Sequence, residues 1–148
     1  KREIRIEDFF PGLFTTALEP EEILTEIKIP IPPPHSGGAY LKLERKVGDF
    51  ATAGVAVQIT LDDSGACKRA GVGLTNVGLT PIKAKQTESF LTGKQLDDST
   101  IQQAAELAAS ESQPMDDIRG SAEYKRDLVR VLTARCLATA LNRAKGGA

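Results

Sequence analysis

The chain has 148 residues, of which 41% are hydrophobic and 26% charged, with a formal net charge of −1. That is the make-up of one soluble globular domain with its own core, without the positive excess that nucleic-acid binding draws on. Cys67 and Cys136 belong to no CxxC or Cys/His cluster, so neither a zinc site nor a disulfide framework is indicated, and no apolar run reaches the roughly 20 residues needed to span a bilayer. With no signal-peptide pattern in Lys1 to Asp8, a cytoplasmic setting is expected.

Lys1 to Ile6 alternates charged residues with Ile4 and Ile6, which suits an edge strand, and Glu22 to Ile29 alternates again around Ile23, Ile27 and Ile29. Residues 30–38 combine four prolines with Ser36, Gly37 and Gly38 and read as a linker, 31–38, between two units. Three strands are expected next: Ala39 to Val47, Gly54 to Leu61 and Cys67 to Thr75. Asp62, Asp63, Ser64 and Gly65 supply a hairpin between the last two.

Periodicity then changes from two to about 3.6. Pro81 to Leu91 is a predicted helix ended by Gly93. Ser99 with Gln102 has the capping-box spacing for a second, and Ser121 caps a long third whose stripe is Tyr124, Leu128, Val131, Leu132 and Cys136. The expected class is α+β: a small three- to four-stranded antiparallel sheet packed against about three helices.

Catalytic signatures are sparse. His35 stands among prolines and reads as a solvent-facing linker residue. No HExxH, GxSxG or Walker loop is present, and Gly71, Gly73 and Gly78 lack dinucleotide-fingerprint spacing. The pairs Asp62/Asp63 and Asp97/Asp98 occupy turns or helix starts, where carboxylates satisfy backbone donors. The stretch Tyr40 to Gly54 differs: on a strand, Tyr40, Lys42 and Glu44 share one face, so an aromatic ring and an ammonium project side by side. Such a pair suits a planar anionic group, and it equally suits a solvated charged face.

That stretch, YLKLERKVGDFATAG, resembles the motif opening the C-terminal domain of the flavoprotein subunit of molybdenum hydroxylases, the xanthine dehydrogenase family, in its carbon monoxide dehydrogenase branch. Other segments resemble the same subunit in order: Asp8-Phe9-Phe10-x-Gly12, Glu21-Glu22-Ile23-Leu24, Gly73-Leu74-Thr75-Asn76-Val77, Leu91-x-Gly93 and Asp117-x-Arg119-Gly120-Ser121-Ala122-x-Tyr124-Lys125. The resemblance implies that residues 1–30 are trailing strands of a preceding FAD-binding domain and that 39–146 form the flavoprotein C-terminal domain. It also implies FAD shared with that N-terminal domain, whose phosphate loops are missing here. Molybdopterin and 2Fe-2S clusters are implied only in partner subunits, a molybdenum large subunit and an iron–sulfur small subunit. By the same resemblance Tyr40 lies near the flavin ring, Lys42 faces the cofactor, and Asp49 lies near the ring's polar edge.

No catalytic or metal-ligating residue is expected. Arg45 and Lys46 read as structural pairs, Arg119 and Tyr124 as anchors of the last helix, and Arg135 as a polar anchor on its apolar stripe. The implied activity is electron transfer from iron–sulfur clusters through FAD to an external acceptor, within an oxidoreductase acting on carbon monoxide, an aldehyde, a purine or an aromatic heterocycle. The alternative is a cofactor-free module that docks subunits.

Overall fold

The computed structural model describes residues 1–147. Its elements are α1 (Ile6–Phe9), β1 (Ser36–Leu43), β2 (Ala53–Leu61), β3 (Cys67–Thr75), β4 (Ile82–Lys83), α2 (Lys85–Leu91), α3 (Asp98–Glu111) and α4 (Ala122–Ala144). The strands form one antiparallel sheet in the order β1-β2-β3-β4, the expected α+β class.

Alternation along the strands splits the sheet into two faces. Val55, Val57, Ile59, Val72 and Leu74 are buried on one, while Ala56 and Gln58 are exposed on the other. The apolar face is covered by α4, which crosses β1 and β2, and by α3 packed beside α4; α2 closes the β3 side. The close approach of α4 to β1 depends on Gly37, where a Cβ would run into the backbone of Ala140 and Ala144. The stripe that α4 buries runs through Lys125, Val129, Leu132, Thr133, Cys136, Leu137, Ala140 and Ala144.

Several local expectations are corrected. Neither residues 1–6 nor 22–29 form strands; α1 begins at Ile6, and the two segments are joined by side-chain pairs, Lys1–Glu26 and Arg2–Glu22 (both 2.6 Å) and Lys28 with Glu3. Alternation provides the pattern of a strand, but a ladder also needs sheet neighbours, and two short segments do not sustain one alone. Ser36, Gly37 and Gly38 belong to β1 rather than to a linker. Ile82 and Lys83 pair with β3 before the helix begins at Lys85. Asp97, not Ser99, caps α3, its Oδ1 accepting from Thr100 N at 2.7 Å.

Ser121 caps α4 as expected, accepting from Tyr124 N at 3.2 Å. On that helix Leu132 and Cys136 are buried, Leu128 and Val131 only half-buried, and Tyr124 exposed. Arg135 is exposed, so it is no anchor in the apolar face. The buried stripe is centred on Val129, Leu132 and Cys136, which leaves Leu128 at its border and Arg135 beyond it. Helix α2 has no capping side chain of its own; Glu111, at the end of α3, accepts from the N–H groups of Gln86 and Thr87, both at 2.9 Å.

Candidate functional site

The open face of the sheet carries two of the candidate residues, Tyr40 and Lys42, and Asp49 lies in the connection after β1. The register places Tyr40 opposite Ala56 and Lys42 opposite Gly54, then Ala56 opposite Gly73 and Gln58 opposite Gly71. In front of the Tyr40 ring, which is 55% exposed, the sheet therefore offers side chains no larger than a methyl at Gly54, Ala56 and Gly73. Tyr40 and Lys42 converge on Gly54: a Cβ there would lie 3.1 Å from Tyr40 Oη, 3.3 Å from Lys42 Cβ and 2.8 Å from Thr75 Cγ2. An open groove of about 990 Å³ runs over the face, with Tyr40, Ala56, Gly71 and Gly73 on its floor and Glu7 and Lys83 on its rim. Glu7 on α1 accepts from Lys83 Nζ on β4 at 2.7 Å, closing that rim.

Tyr40 lines the groove, whereas Lys42 and Asp49 lie outside its lining. Lys42 Nζ is 2.6 Å from Glu44 Oε2. That carboxylate, with smaller contributions from Tyr40 and Asp49, holds the Lys42 ammonium above the ordinary lysine range. Asp49 is not an open acceptor. Its Oδ1 accepts from Arg119 Nη2 at 3.1 Å and from Phe50 N at 2.8 Å, and its Oδ2 accepts from Arg45 Nε at 3.2 Å. The Arg119 hydrogen bond is the largest cause of a carboxyl pKa below the usual range. The Arg119 guanidinium also stands 5.5 Å from the centre of the Phe50 ring.

Arg45 is thus a structural pair, as expected, and Arg119 ties the loop before α4 to the loop after β1. Lys125, which closes the last of the family-like motifs but had no expected role, is 3% exposed and donates to Met115 O at 2.9 Å, with Asp117 at 2.8 Å. The small floor at Gly54, Ala56, Gly71 and Gly73 also escaped the sequence reading, although glycine at period two inside β3 was a usable sign of close approach by another group. Burial pushes the thiols of Cys67 and Cys136 up, which removes both as nucleophile candidates.

Residues 38–140 match the model of the CO dehydrogenase flavoprotein C-terminal domain family, a stretch that starts in β1 and ends within α4. The chain belongs to that family. It is 42% identical over 144 residues to the carbon monoxide dehydrogenase medium chain of Afipia carboxidovorans, covering 97% of this chain and 50% of that one. It is 32% identical over 145 residues to the 6-hydroxypseudooxynicotine dehydrogenase complex subunit alpha of Paenarthrobacter nicotinovorans, covering 98% and 49%. Among solved structures, a carbon monoxide dehydrogenase from Hydrogenophaga pseudoflava that lacks the Mo-pyranopterin moiety of its molybdenum cofactor superposes with a TM-score of 0.88. Its identity is 37%, over 93% of this chain and 47% of that one. This flavoprotein C-terminal domain chain therefore spans about half the length of these relatives.

Proposed function

We propose that this chain is part of the flavoprotein subunit of a cytoplasmic molybdenum hydroxylase, where it closes over the isoalloxazine side of FAD. The observation that carries the reading is the Tyr40–Lys42 pair above a sheet face stripped of bulky side chains at Gly54, Ala56 and Gly73. An exposed ring, a cation and a floor of small residues suit a planar ring that gains negative charge on reduction.

The same residues do not suit the phosphates. Helix α3 opens with Asp97 and Asp98, and α4 has Glu123 in its first turn, so both of these helix starts would repel a pyrophosphate. The phosphates are assigned instead to an N-terminal FAD-binding domain. The exposed Ile23, Ile27 and Ile29 support residues 1–30 as a segment that such a domain would cover.

FAD, when bound, supplies the chemistry that accepts electrons from iron–sulfur clusters and releases them to an external acceptor. Tyr40 limits water on the ring's face. Lys42 contributes positive charge where reduction develops negative charge. Asp49 acts by fixing Arg119 and Arg45 beside the site rather than by offering a free carboxylate. Substrate oxidation belongs to a molybdenum large subunit and electron relay to an iron–sulfur small subunit. The different dehydrogenases named among the relatives fit a substrate choice made outside this domain.

Potentiometry on the complete enzyme tests the reading. Lys42→Met lowers the flavin potential by on the order of tens of millivolts while oxidation at molybdenum and iron–sulfur reduction stay near normal. An unchanged potential accompanied by a lower melting temperature would make Lys42 a structural residue only.

A further inference from the structure

We propose that Glu44 is a positioning residue that sets how much of the Lys42 charge reaches the flavin, an inference that rests on the flavin-facing reading of Lys42. Glu44 follows the last residue of β1, and continued alternation puts it on the same face as Lys42. Its Oε2 lies 2.6 Å from Lys42 Nζ, with the two side chains 23% and 34% exposed; that oxygen is screened from solvent and has no hydrogen-bond partner, so the contact is an ion pair without hydrogen-bond geometry.

The neighbouring acid cannot take this part. Asp49 is committed to Arg45, Arg119 and the Phe50 N–H, so Glu44 is the acid in ion-pair contact with Lys42 among the described residues. The junction therefore holds two separate pairings. Asp49 with its arginines joins the loops, and Glu44 with Lys42 stands at the sheet face beside Tyr40 and Gly54. An ammonium beside a carboxylate presents a dipole rather than a full charge. Half-exposed pairs add little to stability, so removing Glu44 leaves the fold intact and exposes its effect on charge.

The test uses the complete flavin-loaded enzyme with Glu44→Gln, Lys42→Met and the double variant. Flavin midpoint potentials are read by potentiometry and folding by melting temperature. Glu44→Gln is expected to raise the potential, opposite in sign to Lys42→Met, with the melting temperature unchanged. In the Lys42→Met background the Glu44→Gln shift should shrink, because the cation through which Glu44 acts is gone. Glu44→Asp should fall between wild type and Glu44→Gln. An unshifted Glu44→Gln potential beside an intact Lys42→Met effect overturns the inference and leaves the flavin-facing reading standing. An equal shift in both backgrounds also overturns it, since Glu44 would then act by its own charge. If neither single variant moves the potential, the reading of Lys42 fails and the inference falls with it.

Discussion

Asp49, in the connection after β1, and Arg119, in the connection before α4, meet across 70 residues of sequence, with Arg119 Nη2 donating to Asp49 Oδ1 at 3.1 Å. The two side chains are only 10% and 18% exposed, so the pair is more shielded than an ordinary surface ion pair. It joins the loop after the candidate flavin-facing strand to the loop that leads into α4. Arg119→Met should leave the sheet and helices intact but speed amide exchange in residues 44–52 and 113–121. Unchanged exchange there, measured by mass spectrometry, would show that the loops are held by other contacts.

Acid should release the same junction. Asp49 and Asp117 both have carboxyl pKa values lowered in the fold, chiefly by Arg119 and Lys125 respectively. A lowered folded pKa contributes stability above the unfolded value, about 3.9 for aspartate, and loses it as pH falls through the folded value. At the chain start Glu22, paired with Arg2, is lowered to about 2, so that contact should persist until the pH falls to about that value. Proton titration followed by NMR should show Asp49 and Asp117 midpoints below 3.9 and a Glu22 midpoint near 2.

Lys125 is the one charged residue in the buried stripe of α4. Lys125→Met keeps the aliphatic stem but strands Met115 O and Asp117. Because Asp117 is 39% exposed, the cost is expected at about 1–3 kcal/mol rather than that of a fully buried pair. For a chain of this size that is a melting-temperature drop on the order of 3–10 °C. Calorimetry showing no loss would mean that the loop before α4 is self-supporting.

Leu137 is fully buried against the sheet. Leu137→Ala should cost about 2–5 kcal/mol through lost transfer free energy and the cavity left behind. Chemical denaturation should show a lower midpoint with a nearly unchanged slope.

Residues 1–31 should be the most protease-sensitive part of the isolated chain. Ile6, Ile23, Ile27, Ile29 and Ile31 are 73–93% exposed, and no strand ladder holds their backbone. Limited proteolysis should clip this segment while residues 36–147 persist. Early cleavage inside β2 or β3 would reverse that order of stability.

The sequence by itself determined the α+β class, the β2–β3 hairpin and the start of α4. Each depends on local signals: alternation in Val55, Val57 and Ile59, turn residues Asp62 to Gly65, and a capping serine at 121. It also put Tyr40, Lys42 and Glu44 on one face, because side-chain direction along a strand has a period of two. Only the tertiary structure decided what those residues meet. Gly54 stands beneath Tyr40 because β2 pairs with β1 in one particular register, and a slip of one residue would place Val55 there. Asp49 finds Arg119, Lys125 is buried, and Glu111 caps α2 because chain segments distant in sequence share a junction, and periodicity carries no record of such partners. The alternation in residues 1–6 and 22–29 misled for the same reason: a strand pattern becomes a strand only where neighbours complete its hydrogen bonds.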